Sequence, residues 1–171
     1  MSLKKFVEEI PLPLELASTS DRACAIVAAT MLDALLEKLL RKRLAGDKHD
    51  ILFSSYGPLS TFAAKIDIAL AVGVISLTEY SDLQRVRKIR NEFAHSLELI
   101  SFSESPIKEH VAQINYSTLK ITGKFNSHRD EFQSCIAILS GFLKGKVENI
   151  DAIALSKDMY EHLIEWKDKN E

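Results

Sequence analysis

The sequence has few of the residues that interrupt long helices. Its 171 residues include only six glycines and four prolines. Glycine and proline dominate turns, so their scarcity favours long helices over a β architecture with many turns. The length suits one domain with a substantial core and is too short for two domains that each have such a core.

Cysteines and long apolar runs are also scarce. The two cysteines, Cys24 and Cys135, have no CxxC or Cys/His spacing, so we expect reduced thiols in the core rather than disulfides or a zinc site. The longest apolar run, residues 23–32, is about half the length of a membrane span. The N-terminal segment is broken by charges and prolines and has no signal-peptide core. These absences predict a cytoplasmic protein.

The charge balance gives no sign of bulk nucleic-acid binding. Twenty-two basic and 24 acidic residues leave a formal net charge of -2, which argues against a protein that coats nucleic acid electrostatically. The sequence has neither a helix-turn-helix signature nor zinc ligands, so we expect no direct sequence-specific DNA recognition. It also lacks a glycine-rich phosphate loop and metal-binding motifs, and we expect no cofactor and no metal site.

Apolar periodicity predicts an all-α, single-domain helical bundle of about six to eight helices. Residues 1–171 are expected to form this one domain, with its core at about 18–166. The helix between residues 20 and 44 is apolar almost all round from Ala23 to Leu36, which is typical of a central helix. The predicted helices cover about 3–10, 20–44, 58–73, 78–100, 106–113, 127–145 and a last one from 149 or 151.

Capping residues set the predicted helix bounds. Ser20, Thr78 and Ser127 are the expected N-caps, and Pro58 is expected in a first helical turn. Gly145 is expected to interrupt its helix. Residues 115–125 fit either a loop or a small hairpin, and the tail 167–171 is expected to fray.

One helix carries polar residues that packing does not require. Arg90 falls inside the arc of its apolar stripe, and Asn91 and His95, four residues apart, share the adjoining face. An arginine that points toward a core must find a carboxylate, a phosphate or water. The apolar stripe consists of Leu83, Val86, Ile89, Phe93, Leu97 and Ile100.

Two hypotheses for Arg90 follow from the residues alone. In the first, Arg90 forms a structural ion pair with Asp33, Glu37 or Asp67, each at the edge of its helix's apolar face. In the second, Arg90 contacts a phosphate or nucleotide, because a guanidinium group matches phosphate oxygens.

A third hypothesis rests on a resemblance. Residues 90–95, Arg-Asn-Glu-Phe-Ala-His, resemble the R-N-x-x-x-H motif of HEPN domains, which are small helical bundles. Many HEPN domains are metal-independent endoribonucleases whose site forms across a dimer. The resemblance implies that Arg90 stabilises charge on the phosphorane, His95 moves a proton and Asn91 orients the site.

A longer resemblance covers about residues 18–143. The pattern is similar to the mannitol operon repressor family, whose members are helical negative regulators of transcription without a recognisable DNA-reading helix. It therefore predicts repression through contact with a partner protein or a second copy of the chain, with the HEPN-like ribonuclease as the alternative. The residues that carry the pattern are Gly57, Pro58, Leu59, Lys65, Leu70, Gly73, Val74, Ile75, Glu79, Tyr80, Asp82, Arg90 and His95.

Two basic clusters remain. Lys38 and Arg41–Arg43 lie at the end of a predicted helix, where cations offset the helix dipole. Arg85, Arg87 and Lys88 share the helix of Arg90, and we expect them to border a groove for a phosphate or an acidic partner.

Overall fold

The computed structural model describes residues 20–44, 49–115 and 125–150. These ranges contain six α-helices and no strand, which confirms the all-α prediction. The helices are α1 (Asp21–Arg43), α2 (His49–Phe53), α3 (Phe62–Ala71), α4 (Leu77–His95), α5 (Ile107–Ala112) and α6 (His128–Asn149). The predicted helices at 3–10 and after 151, the tail 167–171 and most of the segment 115–125 lie outside the described residues.

Helix α1 is central, as its nearly uniform apolar surface predicts. It packs against α3, α4 and α6. The side chain of Ser20 caps its start by accepting a hydrogen bond from the Ala23 amide at 3.3 Å. Acidic Asp21 lies in the first turn and three basic residues lie in the last, an arrangement that complements the helix dipole.

An aromatic cluster joins α4, the α4–α5 loop and α6. The rings of Phe93 and Phe102 meet edge to face, with centroids 5.0 Å apart, and Phe102 lies 4.9 Å from Phe132. All three side chains are buried. Such ring pairs add stabilisation beyond the burial of their apolar surface, so Phe102 links α4 to α6 through the loop.

Helices α3 and α4, which are joined by residues 72–76, do not begin where the sequence predicts. Helix α3 begins at Phe62 with Thr61 as N-cap, because the chain from Gly57 to Ser60 forms turns instead of a first helical turn. Helix α4 begins at Leu77 with Ser76 as its N-cap. The prediction that Thr78 caps this helix was therefore wrong. Ser76 forms a capping box with Glu79 that satisfies two backbone donors reciprocally, so the helix starts there.

Helix α4 also ends earlier than predicted, at His95 rather than near Ile100. The guanidinium group of Arg22 donates to the carbonyl oxygens of Ser96 at 3.0 Å and Glu98 at 2.8 Å. These bonds hold the chain after His95 in a non-helical path. Leu97 is fully exposed, so the buried stripe of α4 stops at Phe93.

Helix α6 confirms one prediction and corrects another. Ser127 is its N-cap, as predicted, and accepts a hydrogen bond from the Asp130 amide at 3.1 Å. Gly145 does not interrupt the helix, which continues to Asn149. Val147 and Ile150 pack against the core after the glycine, and this packing outweighs the low helix propensity of one glycine.

The two cysteines are buried and unpaired, as predicted. Burial raises the pKa of the Cys135 thiol to about 12, and burial is also the main cause of the raised pKa of Cys24. Neither thiol therefore has the lowered pKa of a reactive cysteine. Over the described ranges, no helix is both long enough and apolar enough to span a membrane.

Candidate functional site

Arg90 does not point into the core. Its side chain is exposed, whereas Leu83, Val86, Ile89 and Phe93 of the same helix are fully buried. Arg90 occupies the same side of the helix as Leu83 and Val86, but at its level the space between α1 and α3 is an open cleft instead of packed side chains. Periodicity places Arg90 on the side of the apolar stripe, and in the structure its side chain is exposed at a cleft.

The cleft, which we call the α1–α3–α4 cleft, has a volume of about 380 Å³. Helix α4 forms one wall, α1 forms the floor, and the start of α3 with the turn before it forms the other wall. The residues that line it are Ala29, Thr30, Asp33, Ser60, Thr61, Phe62, Ala63, Arg87, Arg90 and Asn91.

Two arginines one turn apart orient their side chains through neutral amides. The Arg87 Nε donates to the Gln84 Oε1 at 2.8 Å, and the Arg90 Nη1 donates to the Asn91 Oδ1 at 3.0 Å. In the described part of the chain neither arginine has a carboxylate within 4.0 Å. The cleft therefore presents two positive charges that no salt bridge within residues 20–44, 49–115 and 125–150 offsets.

The carboxylates considered as partners of Arg90 are engaged elsewhere. Asp67 accepts hydrogen bonds from Tyr80 and Gln84, both at 3.1 Å. Asp33 and Glu37 both bind the ammonium group of Lys65. The ion pair of the first hypothesis is thus absent from the residues that the structure describes.

Lys65 is the buried cation of this region. Its side chain is 5 % exposed, and its Nζ lies 3.0 Å from the Asp33 Oδ1 and 2.8 Å from the Glu37 Oε2. Burial acts to lower the pKa of Lys65, but the hydrogen bonds to Glu37 and Asp33 outweigh it and raise the pKa above 10.5. The sequence signal was a lysine between apolar neighbours in α3, opposite the i, i+4 pair Asp33 and Glu37.

Arg41 extends this network at the surface. Its guanidinium binds Glu37 at 2.9 Å and Asp50 at 2.8 Å, and it stacks over the Phe53 ring at 4.3 Å. Burial acts to raise the pKa of Glu37, but hydrogen bonds from Lys65 and Arg41 outweigh it and hold the pKa below 4.5. The network links α1, α2 and α3 and ends at Asp33, which lines the cleft.

His95 does not line the cleft that contains the other two residues of the HEPN-like motif. The structure brings Arg90 and Asn91 together in the cleft, while His95 is exposed at the end of α4 and is not among the cleft residues. The chain after His95 carries two almost fully exposed leucines, Leu97 and Leu99. The catalytic roles of Arg90, Asn91 and His95 stay a hypothesis.

The second basic cluster is divided between two surfaces. Arg87 lines the α1–α3–α4 cleft, whereas Arg85 and Lys88 line a depression of about 210 Å³ on the side of α4 that faces α5. Arg85 lies 3.9 Å from the fully buried Asp82 carboxylate. Lys88 is exposed, without a salt bridge to any described residue.

No cluster of three or more histidine, cysteine or acidic side chains in the described residues is placed to hold a metal ion. The arrangement instead offers cationic and hydrogen-bonding groups on two sides of α4. These groups suit the recognition of anions or of acidic surfaces.

Comparisons with known proteins relate the chain to one family. A sequence model described as the mannitol repressor matches residues 18–153, a range that contains α1 to α6. No curated protein matches at a significant level. Among solved structures, a chain of the X-ray structure of the MtlR–HPr complex from Escherichia coli is similar, with a TM-score of 0.59 and 18 % identity. The match covers 84 % of this chain and 96 % of the other, and at that identity it shows a shared fold.

Proposed function

The chain belongs to the mannitol repressor family, and from this premise we propose that it represses transcription by binding a partner protein, with an HPr protein as that partner. The observation that carries the proposal is the family match across every described helix. The similar fold of a protein that was solved in complex with HPr supports the choice of partner. A second copy of the chain is the other partner that we consider.

The basic groups on the α5 side of α4 are our candidate for a contact with acidic side chains or phosphate on a partner. Lys88 is exposed and Arg85 is half-buried beside it. Because surface charges steer association and set its salt dependence, this contact should act mainly on the association rate.

The test is a binding titration of the purified chain with HPr from the same organism. We expect Lys88→Glu to weaken binding several-fold at low salt and less at high salt. Lys38→Glu is the matched control, since it makes the same charge change at an exposed position of α1. Equal binding by both variants would contradict the surface assignment, and absence of binding by the parent chain would contradict the choice of HPr.

The proposal also assigns DNA recognition to another protein. We therefore expect the purified chain to show no nanomolar affinity for operator DNA at physiological salt, where specific DNA-binding proteins reach that range. A nanomolar, sequence-dependent complex in a gel-shift experiment would contradict repression through protein contact alone. Because transcription is the process that it would repress, we also propose that the chain acts in the cytoplasm.

A further inference from the structure

The α1–α3–α4 cleft holds polar groups that the proposed function does not use. It has the volume of a small-molecule site, since such pockets typically range from about 300 to 1,000 Å³. We propose that this cleft binds a small phosphomonoester that carries hydroxyl groups. The inference goes beyond the proposed function and does not depend on the identity of the protein partner.

The arginine wall supplies the anion-binding groups. Arg87 and Arg90 each use one donor on an amide oxygen, and a guanidinium has five N–H donors in a fixed fork. Arg87 is half-buried and Arg90 is exposed, so a ligand can reach them without unfolding the site. Two guanidinium groups one turn apart match the charge and the oxygen geometry of a phosphate better than those of a single carboxylate.

The opposite wall favours the same charge. Phe62 and Ala63, in the first turn of the ten-residue helix α3, line the cleft. The start of a helix carries partial positive charge and amide donors that lack partners within the helix. This wall adds to the field of the arginines, so both sides of the cleft favour an anion.

The floor of the cleft selects for hydroxyl groups. Asp33 lines it, and Lys65 binds this carboxylate from the buried side, with Nζ 3.0 Å from Oδ1 and 3.2 Å from Oδ2. A carboxylate held in this way still accepts hydrogen bonds from a ligand. It repels a second phosphate, which favours a monoester with hydroxyl groups over a polyphosphate.

Isothermal titration calorimetry on the full chain tests the inference. The probes are glucose 6-phosphate and adenosine 5′-monophosphate, which distinguish a sugar phosphate from a nucleotide, with glucose as the uncharged control. We expect at least one phosphomonoester to bind at millimolar concentrations or below and glucose not to bind. Failure of both phosphomonoesters to bind would overturn the proposal.

Variants identify the cleft as the site. Arg90→Gln and Arg87→Gln should each weaken phosphomonoester binding about tenfold, because a charge-assisted contact is lost. Lys38→Gln is the control: it removes the same charge at an exposed position of α1 that lies outside the cleft and outside the depression beside α5. Equal weakening by all three variants would indicate nonspecific electrostatics and overturn the site.

Single-stranded RNA without a terminal phosphate is the competing ligand. If this RNA bound through Arg90 while both phosphomonoesters did not, the cleft would be a phosphodiester site and the proposal would be wrong. Circular dichroism melting of each variant checks the fold. Arg90 is exposed and Arg87 is bonded only to an amide in the described residues, so we expect both variants to fold.

Discussion

Replacement of Lys65 tests the buried network beneath the cleft. Lys65→Met keeps most of the side-chain volume and removes the charge. The Nζ of Lys65 lies within 3.2 Å of three carboxylate oxygens, two from Asp33 and one from Glu37. Glu37 keeps Arg41 as a partner after the substitution, whereas Asp33 loses the only cation that binds it among the described residues.

The magnitude follows from these contacts. A hydrogen bond between charged groups contributes about 1.5–3 kcal/mol, and breaking a fully buried ion pair costs about 3–5 kcal/mol. The Asp33 and Glu37 side chains are each 29 % exposed, so water recovers part of this loss. We expect Lys65→Met to lower the free energy of unfolding by about 2 kcal/mol, which corresponds to a Tm about 4–8 °C lower for a chain of this size.

Urea denaturation followed by circular dichroism at neutral pH measures the effect. Lys38→Met is the control, since Lys38 is exposed and its loss should change the free energy of unfolding by less than about 0.5 kcal/mol. Asp33→Asn added to Lys65→Met should recover part of the loss, because it removes the unpaired charge. If Lys65→Met were as stable as the parent, the reasoning would be refuted, because the cost of burying the ammonium group would then equal the benefit of its pairing.

Two other predictions concern pH and catalysis. The pKa of Glu37 is lowered below 4.5, so its contribution to stability is present above pH 4.5 and is lost as the pH falls through the folded-state pKa. Lys65→Met should therefore make the free energy of unfolding less dependent on pH on the acid side. An unchanged acid side would contradict the assignment of this pKa shift to the pairing of Glu37 with Lys65. Because His95 lies outside the cleft that holds Arg90 and Asn91, we expect the purified chain not to cleave RNA in EDTA. If the parent chain cleaved RNA and the double variant Arg90→Ala/His95→Ala did not, the ribonuclease hypothesis would be supported instead.

The two sides of α4 can be tested separately because their cations have different partners among the described residues. Arg87 and Arg90 belong to the α1–α3–α4 cleft, while Arg85 and Lys88 belong to the depression beside α5. A variant at Lys88 should therefore affect partner binding and leave phosphomonoester binding unchanged. The reverse should hold for Arg90.

Local sequence patterns predicted the helices and several of their ends. Ser20 and Ser127 were recognised as N-caps because a cap acts on amides only three residues away. The buried stripe of α4 up to Phe93 followed from periodicity. The predicted start of α4 was wrong because two candidate caps, Ser76 and Thr78, lie two residues apart, and only Ser76 has a glutamate three residues later.

The sequence by itself determined the helical class, the central position of α1 and the family. Only the tertiary structure decided which polar groups meet. Lys65 binds carboxylates 28 and 32 residues away, and Arg90 is exposed because α1 and α3 leave a gap at its level. Periodicity fixes the direction in which a side chain points, since it depends on residues within one or two turns. Whether the space in that direction holds a core, a carboxylate or a cleft depends on how distant helices pack.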